Sequence, residues 1–351
     1  MSEAVRAALA AVVEGRTLSY ETAHAAMGAV MDGEATAAQL AALLVALRMR
    51  GETVDELAGF AQAMRDRVLR VDAPAGTIDT CGTGGDGRGT FNISTAAALV
   101  AASAGLPVAK HGNRAITSAS GSSDVLDALG VPTDLGPEDA AAALREFGFA
   151  FLFALVYHPA MRHAGPTRRE IGIRTAFNLL GPLTNPAGAR RQLLGVADPA
   201  AARRVADVLH ALGTERALVV HGERVDELPL DGSGVAYEVT AAGVERREVL
   251  PEDVGLPRVS TDALAGGTPA ANAARMVALF TGEVGPVRDA VLLNAGAALL
   301  VGGRAGDLRE GVELARSTID SGATADLLAR LRASRRADPV EATQAPAGGT
   351  R

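Results

Sequence analysis

The fold of this chain is decided by the stretch Asp79-Thr80-Cys81-Gly82-Thr83-Gly84-Gly85-Asp86-Gly87-Arg88-Gly89-Thr90-Phe91-Asn92-Ile93-Ser94-Thr95. It follows a predicted strand at 77–80 and precedes a predicted helix at 94–104. Glycine fills five of the eight positions 82–89, which leaves backbone N–H groups unobstructed and permits positive φ. The start of the helix adds its own free N–H groups. The stretch therefore predicts a strand, an anion-binding loop and a helix, with phosphate or pyrophosphate as the natural ligand.

The spacing of these glycines separates the loop from two common phosphate-binding motifs. It is not the dinucleotide fingerprint, and no Lys-Ser or Lys-Thr pair follows the glycines as in a P-loop. Asp86 would repel a bare phosphate, which favours a ligand that also carries hydroxyl groups or a metal ion. A glycine-rich turn of purely structural use is the alternative interpretation.

Outward from this loop, short apolar strands alternate with helices. The pattern predicts strands at 77–80, 107–110, 149–153, 192–197 and 216–221, and helices at 94–104, 123–129, 138–147 and 200–212. Residues 235–250 look like a β-hairpin, and 268–334 a set of alanine-rich helices. This alternation predicts an α/β fold with a mostly parallel central sheet and helices on its faces.

The first 70 residues carry helix signals and no strand signals. Thr36-Ala37-Ala38-Gln39 and Thr53-Val54-Asp55-Glu56 have the form of capping boxes. We therefore predict a small helical module at 1–70, joined by part of the arginine-rich segment 158–185. A larger α/β catalytic domain is predicted at 71–336, followed by a disordered tail at 337–351.

Composition excludes several classes of protein. The formal net charge of −7, an aromatic content of 3% and the absence of tryptophan argue against a nucleic-acid-binding surface. Cys81 is the single cysteine, which excludes an internal disulfide. The first residues lack the pattern of a signal peptide, and no apolar run reaches membrane-spanning length. We expect a soluble cytoplasmic protein that binds neither nucleic acid nor membrane.

One lysine, Lys110, stands against 33 arginines, and it lies at the end of the next predicted strand, in Lys110-His111-Gly112-Asn113-Arg114. Lysine offers a compact point charge, whereas arginine offers a planar fork. Because the ends of adjacent parallel strands converge on one crevice, this segment should face the glycine loop. The side chains expected there are Lys110, Arg114, Thr117, Ser118 and Ser122, with His111 and Asn113 as neutral hydrogen-bonding groups. The alternatives are that Lys110 is the single lysine by chance, and that His111 is a partly buried histidine whose hydrogen bonds are made within the protein.

Two further groups are candidates on weaker signals. Asp226-Glu227 follows the strand at 216–221 and would supply Mg²⁺ ligands if it lies opposite a pyrophosphate cradle. Arg168, next to Arg169, would hold a substrate carboxylate by its fork. A solvated acidic pair and surface arginines are the alternatives. Cys81 has no catalytic partner in the sequence and is interpreted as a small, buried strand-end residue.

Together these motifs resemble the signature of the anthranilate phosphoribosyltransferase family. The matching segments are 31–34, 82–86, 92–95, 110–114, 172–186 and 226–227, and the likeness runs from about residue 15 to about residue 330. It implies the two-domain fold shared with pyrimidine nucleoside phosphorylases and a homodimer through the helical module. The implied reaction transfers phosphoribosyl from phosphoribosyl pyrophosphate (PRPP) to the amine of anthranilate in tryptophan biosynthesis, with two Mg²⁺ ions per active site.

The resemblance also implies roles for single residues. Catalytic positions are Lys110, His111, Asn113 and Arg168. Positions that bind the two substrates are Gly82, Gly85, Asp86, Thr90, Asn92, Ser94, Thr95, Lys110, His111, Gly112, Asn113, Arg114, Ser118, Ser122, His158 and Arg168. Metal-ligand positions are Ser94, Asp226 and Glu227. The chain departs from the family pattern at Ala154-Leu155 and at Pro229.

Two rival functions remain open on the sequence. A nucleoside phosphorylase of the same fold would cleave a related C–N bond with phosphate, although the 110–114 motif and the acidic pair count against it. A non-catalytic relative would keep the fold as a nucleic-acid or regulatory binding protein, against which the charge and the acidic pair argue. The sequence identifies no general base, and an aryl amine that is already neutral at pH 7 does not require one.

Overall fold

The computed structural model of the chain describes residues 1–84, 87–115, 119–222, 225–232 and 234–335. It has a small helical N-terminal module and a larger α/β domain with a mostly parallel sheet, which confirms the predicted fold class. The predicted tail at 337–351 lies outside the described residues, as do Gly85, Asp86, Thr117 and Ser118.

Four helices form the N-terminal module: α1 (Glu3–Val13), α2 (Tyr20–Met31), α3 (Ala37–Arg50) and α4 (Val54–Arg65). Both predicted capping boxes are confirmed. The Thr36 hydroxyl accepts from the backbone N–H of Gln39 at 3.2 Å, and the Thr53 hydroxyl accepts from that of Glu56 at 3.3 Å. Each hydroxyl satisfies an N–H that has no partner within its own helix. Local sequence thus sets where α3 and α4 begin.

Seven strands in the described ranges form one sheet. They are β1 (Ile78–Gly82), β2 (Val108–Gly112), β3 (Phe149–Phe153), β4 (Arg191–Gly195), β5 (Arg216–His221), β6 (Gly234–Thr240) and β7 (Gly243–Val249). The sheet order is β3-β2-β1-β4-β5-β6-β7. The first five strands run parallel, and β6 and β7 form the predicted antiparallel hairpin.

Helices and short turns connect and cover the strands. The helices are α5 (Ile93–Ser103), α6 (Ser122–Leu129), α7 (Pro137–Phe147), α8 (Ala154–Tyr157), α9 (Met161–Ile171), α10 (Phe177–Leu180), α11 (Pro199–Ala211), α12 (Pro269–Phe280), α13 (Pro286–Val301), α14 (Leu308–Asp320) and α15 (Ala323–Ala333). Short 3₁₀ helices lie at Gly181–Leu183, Pro251–Val254 and Thr261–Leu264. The helices and strands predicted in the α/β region lie within one or two residues of these bounds.

The helical module is not an isolated unit. The arginine-rich α9 packs against α2 and α3, and α4 packs against α11 of the α/β domain. One apolar core joins Leu57 and Phe60 of α4 with Val205 and Leu209 of α11. The module thus buries an apolar face on the larger domain, as its small size requires. The predicted division of the chain at residues 70 and 71 stays a prediction.

The strand order places a crevice at one edge of the sheet. The chain moves outward from β1 through β2 to β3 and then crosses back to β4 on the other side of β1. Ligands of open α/β sheets bind beyond the carboxyl ends of the strands at such a switch point. Strands β1, β2 and β4 each end in glycine there, at Gly82, Gly112 and Gly195.

None of the described helices has the length and apolar character needed to cross a bilayer.

Candidate active site

Asp226 and Glu227 lie in the loop after β5, which we call the acidic loop. Its position accounts for the absence of a side chain at two of these strand ends. A Cβ at Gly82 would lie 2.5 Å from Asp226 Oδ2, and one at Gly195 would lie 1.6 Å from the Asp226 carbonyl oxygen. Any side chain at either position would displace Asp226. Strands β1 and β4 therefore end in glycine because the loop after β5 folds over both. The sequence analysis gave no role to Gly195, whose partner is 31 positions away.

The glycine loop is held from both sides at Gly84. Its N–H donates to Asp226 Oδ2 at 2.9 Å, and its carbonyl accepts from Arg174 Nη1 at 2.8 Å. Gly84, Gly87 and Gly89 have φ of 62°, 70° and 62°, a region that other residues rarely adopt. These three glycines thus adopt the positive φ that glycine permits, and Arg174 is a support that was not predicted from the sequence.

The first turn of α5 meets the second carboxylate of the acidic pair. The backbone N–H of Ser94 donates to Glu227 Oε1 at 3.2 Å. A carboxylate at this end of a helix is stabilised by the positive end of the helix dipole and by the free N–H groups. The helix begins at Ile93, one residue before the predicted start, with Asn92 at the N-cap.

Lys110 lies inside the crevice rather than on its rim, with 2% of its surface exposed. Its ammonium donates to the carbonyl of Thr80 and, at 3.3 Å, to Ser94 Oγ. Burial lowers the pKa of Lys110, and the neighbouring charges of Asp79, Glu227 and Asp226 oppose that shift. The single lysine thus ties β1, β2 and the first turn of α5 together at one point.

Asp79 is a site residue that the sequence analysis quoted without assigning a role. It is fully buried, and its Oδ1 accepts from the backbone N–H of His111 at 3.1 Å. Burial raises the pKa of Asp79, while Asn185, Lys110 and the His111 N–H lower it. The available signal was an acidic residue inside an otherwise buried strand, since an ionised carboxylate there requires a partner. Asp79 and Lys110 are buried near each other, and each favours the charged form of the other against the effect of burial.

His111 and His158, which the resemblance names as substrate-binding positions, lie against each other in the structure. Their Nε2 atoms are 3.2 Å apart, so one ring donates and the other accepts, and the ring centroids are 5.1 Å apart. Burial, with the charge of His158 as a smaller cause, lowers the pKa of His111 to about 3. Burial lowers the pKa of His158 to about 4. Both imidazoles are therefore neutral at pH 7.

Arg168 lies near the end of α9, with its guanidinium over the ring of Phe177 at 4.8 Å from the centroid. Burial lowers its pKa. Phe177 opens the segment 177–183, and the backbone of Gly181 in this segment hydrogen-bonds to His111. Arg168 and His111 thus both contact the segment 177–183, Arg168 through Phe177 and His111 through Gly181.

Asn92 is fixed by a network that crosses the domain. Its Nδ2 donates to the Ser120 carbonyl at 3.1 Å, and its Oδ1 accepts from Ser120 Oγ at 3.1 Å and from Asn272 Nδ2 at 2.9 Å. Asn272 lies in α12, 180 positions away, and no pattern in the sequence pointed to it.

Asn113, Arg114 and Ser122 lie together at the mouth of the loop after β2. Ser122 Oγ donates to the Asn113 carbonyl at 3.2 Å, and a Cβ at Gly112 would lie 2.4 Å from that hydroxyl. Arg114 is mostly exposed and pairs with Asp127 at 3.3 Å. This group presents polar side chains toward solvent, in contrast to the buried Lys110.

Thr90 and Thr95 take different places around the glycine loop. Thr90 is half-buried and forms an isolated bridge with Ala265. Thr95 is 1% exposed, and its hydroxyl has no hydrogen-bond partner in the part of the chain that the structure describes. Because burying an unpaired hydroxyl is costly, Thr95 is a candidate for a ligand contact.

The acidic pair and Ser94 fit a magnesium ion by the chemistry of their donor atoms. All are oxygens, and the two carboxylates converge on Gly84 and Ser94. Magnesium binds through one or two carboxylates and completes its shell with waters and substrate phosphates. Within the described ranges, no group of three His, Cys, Asp or Glu side chains could hold a metal by itself. The residues therefore suit an ion that shares its shell with a phosphorylated ligand.

Four predicted contacts fall outside the described residues: Gly85, Asp86, Thr117 and Ser118. Cys81 is buried in β1, and its thiol accepts from Gln192 Nε2 at 3.1 Å. Burial raises its pKa well above the ordinary value, which agrees with a structural role.

Comparison with known proteins adds the family. The model of a glycosyl transferase family, a/b domain, matches residues 75–325, and that of its helical bundle domain matches residues 6–68. Anthranilate phosphoribosyltransferases from Chloroflexus aggregans and Rubrobacter xylanophilus are 54% and 51% identical. Each alignment covers 95% of this chain, with 99% and 98% of those proteins.

Two solved structures share the fold along nearly the whole chain. The crystal structure of anthranilate phosphoribosyltransferase from Thermus thermophilus has a TM-score of 0.88 and 48% identity over 93% of this chain and 98% of that one. The enzyme from Saccharomyces cerevisiae in complex with PRPP and Mg has a TM-score of 0.86 and 26% identity. That match covers 95% of this chain and 99% of the yeast chain.

Proposed function

This chain belongs to the anthranilate phosphoribosyltransferase family, and we propose that the crevice described above performs the family's reaction with the residues named there. The reaction transfers the phosphoribosyl group of PRPP to the amine of anthranilate. The products are N-(5-phosphoribosyl)anthranilate and pyrophosphate, in the second step of tryptophan biosynthesis from chorismate. It is a pentosyl transfer, so the enzyme is a glycosyltransferase.

The buried Lys110 carries this proposal. Its ammonium is held by the Thr80 carbonyl in β1 and by Ser94 Oγ in the first turn of α5. The N–H groups of Ser94 and Gly84 face the acidic pair nearby. A cation and oriented N–H groups in a water-poor crevice stabilise the charge that develops on a departing pyrophosphate. Their positions are set before the substrate arrives, so little reorganisation accompanies the reaction.

Asp226, Glu227 and Ser94 would hold magnesium. When bound, the ion would neutralise negative charge on the pyrophosphate. In the structure the two carboxylates accept hydrogen bonds from Gly84 and Ser94, the same N–H groups that a phosphate would use. Substrate binding therefore requires these carboxylates to give up or share those bonds, so the two carboxylate side chains are the part of the site that adjusts.

His111, Asn113, His158 and Arg168 would form the anthranilate side of the site. The forked guanidinium of Arg168 suits the anthranilate carboxylate. With pKa values of about 3 and 4, the two histidines are neutral and weakly basic at pH 7, so they orient the amine by hydrogen bonds. An aryl amine attacks as the neutral species, so neither histidine needs to act as a strong general base.

The proposal also covers the number of magnesium ions, the oligomeric state and the cellular location. Two magnesium ions per active site, a homodimer formed through the helical module and a cytoplasmic location are proposed. Val13 and Met49 of the module are 69% and 83% exposed, and a homodimer formed there would bury such apolar side chains. Light scattering coupled to size-exclusion chromatography tests this, and a monomeric mass at micromolar concentration would contradict it.

The reaction itself is tested by the loss of anthranilate fluorescence when protein, magnesium and PRPP are combined. Loss that requires all three components supports the proposal. Steady fluorescence with folded protein, together with phosphorolysis of thymidine or uridine, would instead establish a nucleoside phosphorylase. Salt-sensitive binding of DNA without either activity would establish a binding protein.

A further inference from the structure

The amide side chain of Asn294 is buried in α13, with none of its surface exposed. Its Oδ1 accepts from the backbone N–H of Leu228 at 3.0 Å, and its Nδ2 donates to the Leu228 carbonyl at 3.1 Å. The Nδ2 also donates to the Ala290 carbonyl, one turn earlier in the helix, at 2.9 Å. Asn294 thus pairs with both backbone groups of Leu228 as a neighbouring strand would.

Leu228 directly follows the acidic pair. Its N–H belongs to the peptide group that joins Glu227 to Leu228. The hydrogen bond from this N–H to Asn294 therefore fixes the orientation of the peptide group that follows Glu227. The side chains on either side of the pair, Val225 and Leu228, are 2% and 1% exposed. The carboxylates therefore project from a backbone that is anchored by burial and by one side-chain amide.

Helix α13 also supports the opposite wall of the crevice. It packs against α5, whose first turn presents Ser94 and receives Glu227. It also packs closely on α14, where a Cβ at Gly296 would lie 2.7 Å from the Val312 nitrogen. One rigid helix thus holds both the acidic loop and the helix that faces it.

A leucine has the same branched shape as Asn294 and no amide to bury, but it is larger and offers no hydrogen bond to the N–H and C=O of Leu228. An amide whose hydrogen-bonding groups are this well satisfied, and aimed at the residue after Glu227, points to a role beyond packing. We propose that Asn294 is a positioning residue for the magnesium site, which sets the distance between the acidic pair and Ser94. The inference rests on the proposed function and extends it to a residue outside the site.

The test compares Asn294→Leu and Asn294→Ala with the unaltered protein. Calorimetry measures PRPP binding at increasing magnesium concentration, without anthranilate, so that turnover does not enter. Because residues that orient metal ligands typically change metal affinity about 10–100-fold, we expect the magnesium concentration for half-saturation to rise about tenfold in Asn294→Leu. The smaller Asn294→Ala leaves room for a water to bridge to Leu228, so a smaller rise is expected. The KM for anthranilate should change less than about twofold.

Thr318→Val is the matched control. Thr318 is buried in α14, and its hydroxyl donates within its own helix to Leu314 at 2.7 Å. This change removes a buried hydrogen bond from the same layer without touching the acidic loop, and it should leave the magnesium titration unchanged. If the folded Asn294 variants titrate with magnesium like the unaltered protein, the positioning role is wrong. If the unaltered protein binds PRPP equally well with and without magnesium, the proposed metal site itself is wrong. That result is distinct from a failure of the positioning role alone.

Discussion

The two walls of the crevice are built differently. Lys110 projects from a central strand, is almost fully buried and has its ammonium held by Thr80 and Ser94. Asp226 and Glu227 project from a loop, are half-buried and hydrogen-bond to N–H groups of the opposite wall. The cation is held by groups of β1 and α5, whereas the carboxylates accept from the N–H groups that we propose bind a phosphate.

This contrast separates two roles. A side chain fixed in a strand can stabilise developing charge without moving, so its loss should reduce turnover directly. If Asp226 and Glu227 are the proposed magnesium ligands, each must exchange its N–H donor for the metal, so the loss of either should appear first in the metal requirement. Changes on each wall therefore test whether the difference in construction is also a difference in function.

The largest effect is expected for Lys110→Ala. Turnover measured by anthranilate fluorescence should fall by about 10²–10³-fold, the usual loss for one preorganised charge-stabilising donor. Lys110→Arg should not restore it, because a planar fork does not replace a buried point charge. Cys81→Ala, in the neighbouring strand, is the control and should retain normal turnover. A folded Lys110→Ala protein with nearly normal activity would remove the lysine from the mechanism.

Glu227→Gln should have a smaller and different effect. The amide oxygen can still accept from the Ser94 N–H, so the fold should be kept, while the lost charge weakens magnesium binding. We expect lower turnover and a rise of about 10–100-fold in the magnesium concentration for half-maximal rate. Glu248→Gln on the exposed hairpin strand β7 is the control. An unchanged metal titration would exclude Glu227 as a ligand.

The histidine pair predicts how stability depends on pH. His111 and His158 have pKa values of about 3 and 4 when folded, and the ordinary value is about 6.5. Below pH 6.5 the unfolded chain gains protons that the folded protein does not, so the free energy of unfolding decreases as pH falls toward 4. The slope approaches about 1.4 kcal/mol per pH unit for each histidine.

Urea titrations at pH 7 and pH 5 measure this slope. His158→Gln should lose less stability over that interval than the unaltered protein, because one of the two neutral histidines is gone. His210→Gln is the control, since His210 is exposed on α11. An equal slope in all three proteins would show that the buried pair does not govern acid stability.

The smallest effect is expected outside the crevice. Thr53→Ala removes the cap of α4 and should reduce the free energy of unfolding by about 1 kcal/mol. Magnesium and PRPP binding should not change, because the cap acts on the helical module. Chemical denaturation measures the loss, with Ser317→Ala on the exposed face of α14 as the control. A change in magnesium requirement would show that the module and the crevice are coupled.

Much of the site was predictable because its signals are local. The glycine loop, the start of α5 and the strand that carries Lys110 each depend on residues within a few positions of one another. The unusual use of a single lysine also drew attention to a residue that the structure places at the centre. The Asp226-Glu227 pair gave a weaker signal, since its meaning depends on what lies opposite.

The residues that the sequence analysis missed all act across long separations. Asn272 reaches Asn92 over 180 positions, and Asn294 reaches Leu228 over 66. Nothing near either asparagine distinguishes it from a polar residue on a helix surface. Asp79 lies in the quoted stretch, but its role depends on burial beneath Lys110.

The sequence by itself determined where helices begin, where glycines permit positive φ and which residue types offer charge to a phosphate. These properties follow from steric limits and hydrogen bonds within a few residues. Only the tertiary structure decided that Asp226 closes over Gly82 and Gly195, and that Glu227 meets the first turn of α5. Those contacts depend on the order of strands in the sheet, which brings distant loops to one edge and is not encoded in any single segment.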